Sequence, residues 1–179
     1  EALSEAVADL GIDALPWTDG LRQWRERVRC LRAWMPELEL PDLSDEALIA
    51  ARRQWLQPAL QGKSRLDALG ETELAEALKS LLDWTQRQKL DQLTPRAIQV
   101  PSGMERGIHY QHDGAPVLAV KLQELFGLAD TPRICDGRVP LTLHLLSPGG
   151  KPLQVTQDLK GFWDRTYPEV RREMKGRYP

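Results

Sequence analysis

A change in hydrophobic pattern near Thr94-Pro95 limits the folds that this chain can adopt. Val and Ile occur four times in residues 1–95 and nine times in residues 96–179. Side chains branched at Cβ suit strands better than helices. The apolar residues of the first part instead recur every three or four positions, which is the spacing of one helix face. The sequence therefore predicts a helical subdomain, 1–95, followed by an α+β subdomain, 96–179.

Capping residues mark the predicted helix starts in 1–95. Candidate caps precede three apolar stripes: Thr18 or Asp19, Ser44, and Asp83 with Gln86 in capping-box spacing. The helix after Ser44 is expected to end near Pro58, because proline has no N–H to donate. Tryptophan is large and mostly buried. We therefore expect core anchors at most of the tryptophans in this part: Trp17, Trp24, Trp34, Trp55 and Trp84.

Alternating residues and turns predict strands in 96–179. A hairpin is expected around Pro101-Ser102-Gly103, with Ile98 on one strand and Ile108 on the other. Further strands are predicted at 117–120, 141–146 and 152–156. Asp158 is expected to cap a helix, and Pro168 is expected to open a separate last helix.

These elements predict an α+β fold. An N-terminal helical subdomain is expected to pack on a small, mainly antiparallel sheet with C-terminal helices. Thr94-Pro95 is too short to act as a flexible linker, so we expect the two subdomains to form one packed unit.

Composition excludes several classes of protein. The chain has 179 residues, enough to bury a core without metal or disulfide support. Its two cysteines, Cys30 and Cys135, are too few for a secreted disulfide framework, so we expect free thiols and a cytoplasmic location. No apolar run is long enough to cross a membrane. We expect a monomer.

Charge differs between the two predicted subdomains. Residues 1–95 hold 12 basic and 17 acidic residues, whereas residues 96–179 hold 12 basic and 9 acidic residues. A polyanion would therefore be attracted to the second part, and only weakly, because the excess of positive charge is small.

Common catalytic motifs are absent from the sequence. The chain has no G-x-x-x-x-G-K-[S/T], no G-x-G-x-x-G, no G-x-S-x-G and no H-E-x-x-H. Residue 1 is Glu rather than Met, and no charged and apolar leader follows it. We therefore expect a piece of a longer protein with no catalytic residue of its own.

Four residues form the best candidate metal set: His109, His112, Cys135 and His144. Zinc prefers nitrogen and sulfur ligands, but residues three apart on a strand point to opposite faces. Ordinary histidines on strands and turns are the alternative. A Cys135–His144 nucleophile would need an electropositive site, and a buried thiol is its alternative. We expect no metal ligand.

Two basic segments could bind phosphates. The first carries Arg22, Arg25, Arg27, Arg29 and Arg32, most of which are expected to face outward from an apolar stripe. The second carries Arg165, Arg171, Arg172, Lys175 and Arg177, interleaved with Trp163, Tyr167 and Tyr178. Cations beside aromatic rings suit phosphate contact and base stacking in single-stranded nucleic acid. The alternative for each segment is a solvated helix face. We select the second set as candidate nucleic-acid-binding residues.

Ordered sequence blocks carry a family resemblance: LLDW (81–84), VPSG (100–103), VLAVKLQELFGL (117–128), RVPLTLHLLSP (138–148), QVTQDLKGFW (154–163) and YPEVRREMKGRYP (167–179). Together they resemble the C-terminal region of bacterial HrpB-type ATP-dependent helicases, relatives of the DEAH/RHA RNA helicases. One departure is His109, where we expect the family to carry Asp before Tyr110.

The resemblance implies a parent chain with two RecA-like motor domains followed by winged-helix, ratchet and OB-like modules. ATP and Mg²⁺ would bind in that motor, where the Walker A and DEAH boxes lie, and this chain would need no cofactor. The family also continues into a basic, proline-containing tail, so we expect this piece to be trimmed at both ends. No residue here matches a helicase motif.

Three classes of function follow from these features. The first is a non-catalytic accessory domain of an RNA or DNA helicase, docked on its own helicase core and contacting nucleic acid. The second is a protein-interaction module that recruits a partner through a groove between the helical part and the sheet. The third is an independent enzyme, whose best version requires bound zinc.

Overall fold

The computed structural model describes residues 2–177, and the chain divides into two compact units, Glu1–Leu90 and Asp91–Pro179. The predicted division at residue 95, and the packing of the two parts into one unit, stay predictions.

Helices make up the chain before the sheet. The α-helices are α1 Ala2–Leu10, α2 Asp19–Trp34, α3 Asp45–Ala50, α4 Arg52–Trp55, α5 Gln57–Leu60, α6 Glu71–Lys79 and α7 Trp84–Leu93. Predicted caps are confirmed at three of them. Thr18 Oγ1 accepts from the Leu21 N–H, and Ser44 Oγ accepts from the Ala47 N–H.

The capping box at the start of α7 is also confirmed. Asp83 Oδ1 accepts from the Gln86 N–H at 2.7 Å, and Gln86 Oε1 accepts from the Asp83 N–H at 3.0 Å. Each side chain therefore satisfies a backbone donor that the helix itself leaves without a partner.

The helix predicted after Ser44 consists of three short helices, α3, α4 and α5, and the last of them ends at Leu60, two residues beyond Pro58. Pro58 lies in the first turn of α5, which runs on to Leu60. The first turn of a helix has no acceptor for its N–H groups, so proline is tolerated there and starts a new turn instead of ending the old one.

The prediction for the tryptophans holds at some positions and fails at one. Trp24 and Trp55 are buried, whereas Trp17 and Trp34 are half-buried. Trp84 is 71% exposed, so it is not a core anchor. It is the first residue of α7 and belongs to no apolar stripe, which is the signal that marks a buried helix position.

The second unit contains the sheet. Its strands are β1 Ala97–Gln99, β2 Glu105–His109, β3 Val117–Lys121, β4 Arg133–Ile134, β5 Val139–Pro140, β6 Thr142–Leu146 and β7 Pro152–Thr156. Five of them form a sheet of order β1-β2-β3-β6-β7, in which only β3 and β6 are parallel, and β4 pairs with β5. The predicted fold class, mixed helices and a small, mainly antiparallel sheet, is confirmed.

Alternation places the sheet's core on its central strands. Leu118 and Val120 of β3 are buried beside Leu143 and Leu145 of β6, their partners in the register. The predicted hairpin is confirmed as β1 and β2, with Gly103 at a φ of 93° in the turn. Only glycine adopts that φ without strain.

The C-terminal residues form one continuous helical run. It consists of α8 Leu159–Gly161, a π-turn Phe162–Thr166 and α9 Tyr167–Arg177. Asp158 caps it as predicted, but Pro168 does not open a separate helix. The Tyr167 N–H reaches back five residues to the Phe162 carbonyl. This wider turn leaves room for the proline ring, which would strike a carbonyl in a regular helix interior.

Candidate nucleic-acid interface

The predicted cations all lie in the C-terminal helical run. Arg165 is in the π-turn, and Arg171, Arg172, Lys175 and Arg177 are on α9; all five are exposed. Tyr178, predicted to interleave with them, lies outside the described residues.

Arg165 differs from the other cations because it has an ionic partner. Its Nη2 lies 3.0 Å from Asp158 Oδ2, while Asp158 Oδ1 accepts from the Gly161 N–H at 2.9 Å. The Gly161 N–H, and then the Arg165 guanidinium, lower the pKa of Asp158. Arg165 therefore helps to hold the start of the helix.

The four cations of α9 form no ion pair with any residue between 2 and 177. Arg172 Nε donates to the Pro168 carbonyl of its own helix at a distance of 3.4 Å. Two acidic residues of the same helix, Glu169 and Glu173, are also exposed. The cations near the helix C-terminus are favoured by the backbone dipole and point into solvent.

Aromatic side chains cluster where the π-turn meets α9. The Trp163 and Tyr167 rings pack edge to face with centroids 5.1 Å apart, and Phe126 lies 6.0 Å from Trp163 and 6.1 Å from Tyr167. Trp163 Nε1 donates to the Leu128 carbonyl at 2.7 Å, which fixes the indole. Phe126 is 49% exposed, so the cluster opens to solvent.

Two cavities adjoin this cluster. The first, of about 570 Å³, is lined by Phe126, Gly127, Leu128, Ala129, Trp163, Tyr167 and Arg171. The second, of about 370 Å³, is lined by Gln123, Phe126, Pro148, Arg171, Met174 and Lys175. The structure thus brings Arg171 and Lys175 of the predicted set beside exposed apolar surface.

Phe126 was missed by the sequence argument. It follows the 3-10 turn Leu122–Leu125 and precedes Gly127, whose φ is 96°. The available signal was an aromatic directly before a glycine, where the chain turns away from the sheet.

Two of the five arginines of α2 are buried, and three are not. The expectation that most of them face outward is wrong for Arg25 and Arg27, which are buried. Arg25 Nε donates to the Leu43 carbonyl at 2.7 Å, and its Nη2 lies 2.7 Å from Asp45. Its guanidinium also lies over the Trp17 ring, with Cζ 5.4 Å from the centroid. The α2 stripe is therefore wider than the apolar residues alone indicate.

The candidate metal set does not assemble within residues 2–177, where no three His, Cys, Asp or Glu residues are grouped to hold an ion. His109 and His112 are exposed, and His144 is half-buried on β6. Cys30 and Cys135 are buried thiols without a disulfide. None of the described helices is long and apolar enough to cross a bilayer.

Comparisons with known proteins agree with this architecture. The family described as ATP-dependent helicase C-terminal, HrpB_C, matches residues 55–179. The chain is 45% identical over 179 residues to the ATP-dependent RNA helicase HrpB of Escherichia coli (strain K12), covering all of this chain and 22% of that protein.

Two solved structures resemble it as well. The E. coli DExH-box NTPase HrpB superposes with a TM-score of 0.92 at 45% identity, over 98% of this chain and 22% of that one. The E. coli DEAH/RHA helicase HrpB gives a TM-score of 0.83 at 44% identity, over 99% and 22%.

These matches identify the class of domain and the family to which the chain belongs. The fold is that of a domain found in helicases, and it spans about a fifth of the length of the relatives it matches, 22%. The chain belongs to the HrpB_C family of ATP-dependent helicase C-terminal domains. The family resemblance carried by the sequence blocks is confirmed.

Proposed function

We propose that this chain is a non-catalytic accessory domain of an ATP-dependent RNA helicase, which docks on the helicase core and contacts single-stranded nucleic acid through α9. Its similarity to an RNA helicase along its whole length supports the parent assignment. ATP and Mg²⁺ belong to the motor of that parent in this proposal, because the chain has no phosphate-binding glycine-rich motif. The chain acts as a monomer in the cytoplasm.

One observation carries the nucleic-acid part of the proposal: Arg171, Arg172, Lys175 and Arg177 are exposed on one helix and lack ion pairs among residues 2–177. A cation already paired must give up its partner to reach a phosphate, whereas these need only release water. Arg165, held by Asp158, is the weakest member of the predicted set.

Charge reversal tests the proposal. The triple change Arg171→Glu, Arg172→Glu and Lys175→Glu should weaken binding of fluorescein-labelled oligouridylate, followed by anisotropy across a salt series. Each lost phosphate contact should reduce the slope of log affinity against log salt by about 0.7, or about 2 in total.

A matched control keeps the change in net charge. Arg22→Glu, Arg65→Glu and Lys89→Glu alter three exposed cations of the first unit and should leave the slope unchanged. If the α9 triple variant also binds like the unmutated chain at every salt concentration, the proposed interface is wrong.

Recruitment of a protein partner is a second candidate function. It is favoured by Trp84, which is 71% exposed at the start of α7. Tryptophan is enriched at protein–protein interfaces and among the residues that contribute most to binding. A single partner retained after nuclease treatment, and lost on Trp84→Ala, would support recruitment; retention by the variant would exclude this surface.

A further inference from the structure

The two cavities on the C-terminal helical run are neighbours. Both are lined by Phe126 and Arg171, so these two residues form the divide between them. Each volume, about 570 and about 370 Å³, falls in the range of about 300–1,000 Å³ that is typical of ligand pockets.

Charge at the cavities favours an anionic occupant. Arg171 borders both of them and Lys175 borders the second. Within the described part of the chain, no Asp or Glu lines either cavity, and neither cation has an ion pair. An anion placed at the divide would meet the positive charge of Arg171 and Lys175 and no carboxylate of the cavity walls.

The walls favour flat rings rather than a polar ligand. The single N–H of Trp163 donates to the Leu128 carbonyl, so this side chain can offer a ligand only the face or edge of its ring. The edge-to-face packing of Trp163 on Tyr167 and the exposure of Phe126 leave aromatic surface open on one side. Gln123, in the second cavity, adds an amide that can both donate and accept.

A single nucleic-acid strand has this chemistry, because its flat bases are carried on sugars that anionic phosphates join. We propose that the two cavities hold two successive unpaired bases of single-stranded RNA or DNA, with Arg171 on the phosphate that joins them. This inference rests on the proposed function and adds base stacking to its phosphate contacts. Stacking tolerates any sequence, because every base has a π-face.

An abasic strand separates stacking from phosphate contact. Fluorescein-labelled oligothymidylate and an abasic oligodeoxynucleotide of the same length carry the same phosphates, and oligouridylate provides the RNA arm. The unmutated chain should bind the base-bearing strands about tenfold more tightly than the abasic strand. Phe126→Leu, which keeps apolar bulk but removes the one ring that both cavities share, should reduce that preference and leave abasic binding unchanged.

Controls protect this result from a folding artefact. Phe126 is 49% exposed, so the leucine variant should keep the parent's far-ultraviolet circular dichroism. Trp84→Leu is the matched control, because it removes another exposed ring that lines neither cavity. This variant should bind both strands like the unmutated chain.

The outcomes distinguish the two proposals. Equal affinity for base-bearing and abasic strands would overturn base stacking while leaving phosphate contact in place. No binding to any strand would overturn both. Self-association of the chain that Phe126→Leu abolishes, seen by sedimentation, would assign the cavities to a second copy instead.

Discussion

Burial gives two arginines of similar sequence surroundings opposite roles. Arg25 and Arg171 both lie on helices among other cations. Arg25 is 8% exposed and is held by Leu43, Asp45 and Trp17, whereas Arg171 faces solvent beside two cavities. A buried guanidinium must satisfy its donors inside the protein, so Arg25 is committed to the fold and Arg171 is available to a ligand.

Arg25→Ala should therefore destabilise the first unit by about 2 kcal/mol, since it leaves the Leu43 carbonyl without its donor. Urea unfolding measures the change. Arg22→Ala is the matched control: it removes a guanidinium over the same Trp17 ring, but an exposed one, and should cost less than about 1 kcal/mol. Equal losses would mean that the buried hydrogen bonds contribute nothing.

Asp158 should make the stability of the second unit depend on pH. The Gly161 N–H and Arg165 lower its pKa from the ordinary 3.8, so the folded state favours the charged form. The stabilisation is present above about pH 4 and is lost as pH falls through the lowered pKa. Asp158→Asn, which keeps a capping oxygen but does not titrate, should lose less stability on acidification than the parent.

Thermal melting at a series of pH values from above to below about pH 4 measures this loss of stability. Asp164→Asn, at an exposed residue of the same helical run, is the control. The control should melt like the parent at each pH. If the parent and Asp158→Asn lose stability in parallel, other carboxylates cause the acid sensitivity.

At the scale of elements, the π-turn decides what α9 presents. A π-turn holds one more residue than the corresponding α-turn, so it rotates everything after it about the helix axis. Trp163 lies inside this turn and Tyr167 directly follows it, and their rings meet at 5.1 Å. A helix start was predicted at Pro168 instead of this extra residue, because a π-turn has no local signature comparable to a cap.

Deletion of Asp164, an exposed residue of the π-turn, should convert it to an α-turn and rotate α9 by about 100°. Pro168 would then lie in a regular helix interior, where its ring meets a carbonyl, so some helix content should be lost at the start of α9. The near-ultraviolet circular dichroism of the aromatic cluster should change, and binding of single strands should weaken.

Asp164→Ala keeps the number of residues and is the control for the deletion. It should retain both the aromatic signal and the affinity. An unchanged near-ultraviolet spectrum in the deletion variant would show that the π-turn does not set the position of Trp163 and Tyr167.

At the scale of the whole molecule, positive charge and aromatic surface coincide in the second unit. Residues 96–179 carry the excess of basic residues, and the aromatic cluster and both cavities lie in the same unit. This distribution supports the proposal that the second unit contacts a nucleic-acid strand.

The purified chain should accordingly release no phosphate from ATP above background, with or without oligouridylate. It lacks the glycine-rich sequence that cradles phosphates, and no metal-binding group assembles among its described residues. A malachite-green assay measures this. Turnover that copurifies with the chain through successive columns, and that a Lys175→Ala variant loses, would contradict the assignment.

The family, the order of the elements and their caps could be predicted from the amino-acid sequence, because each of these depends on residues close together in the chain. The capping box of Asp83 and Gln86 and the hairpin around Gly103 are local in this sense. Which cations have an ionic partner could be read only from the folded chain. Folding buried Arg25, tied Arg165 to Asp158, and brought Phe126 against Trp163 across a long stretch of chain. Contacts between distant residues depend on packing and on an inserted helical residue, and neither leaves a periodic trace in the sequence.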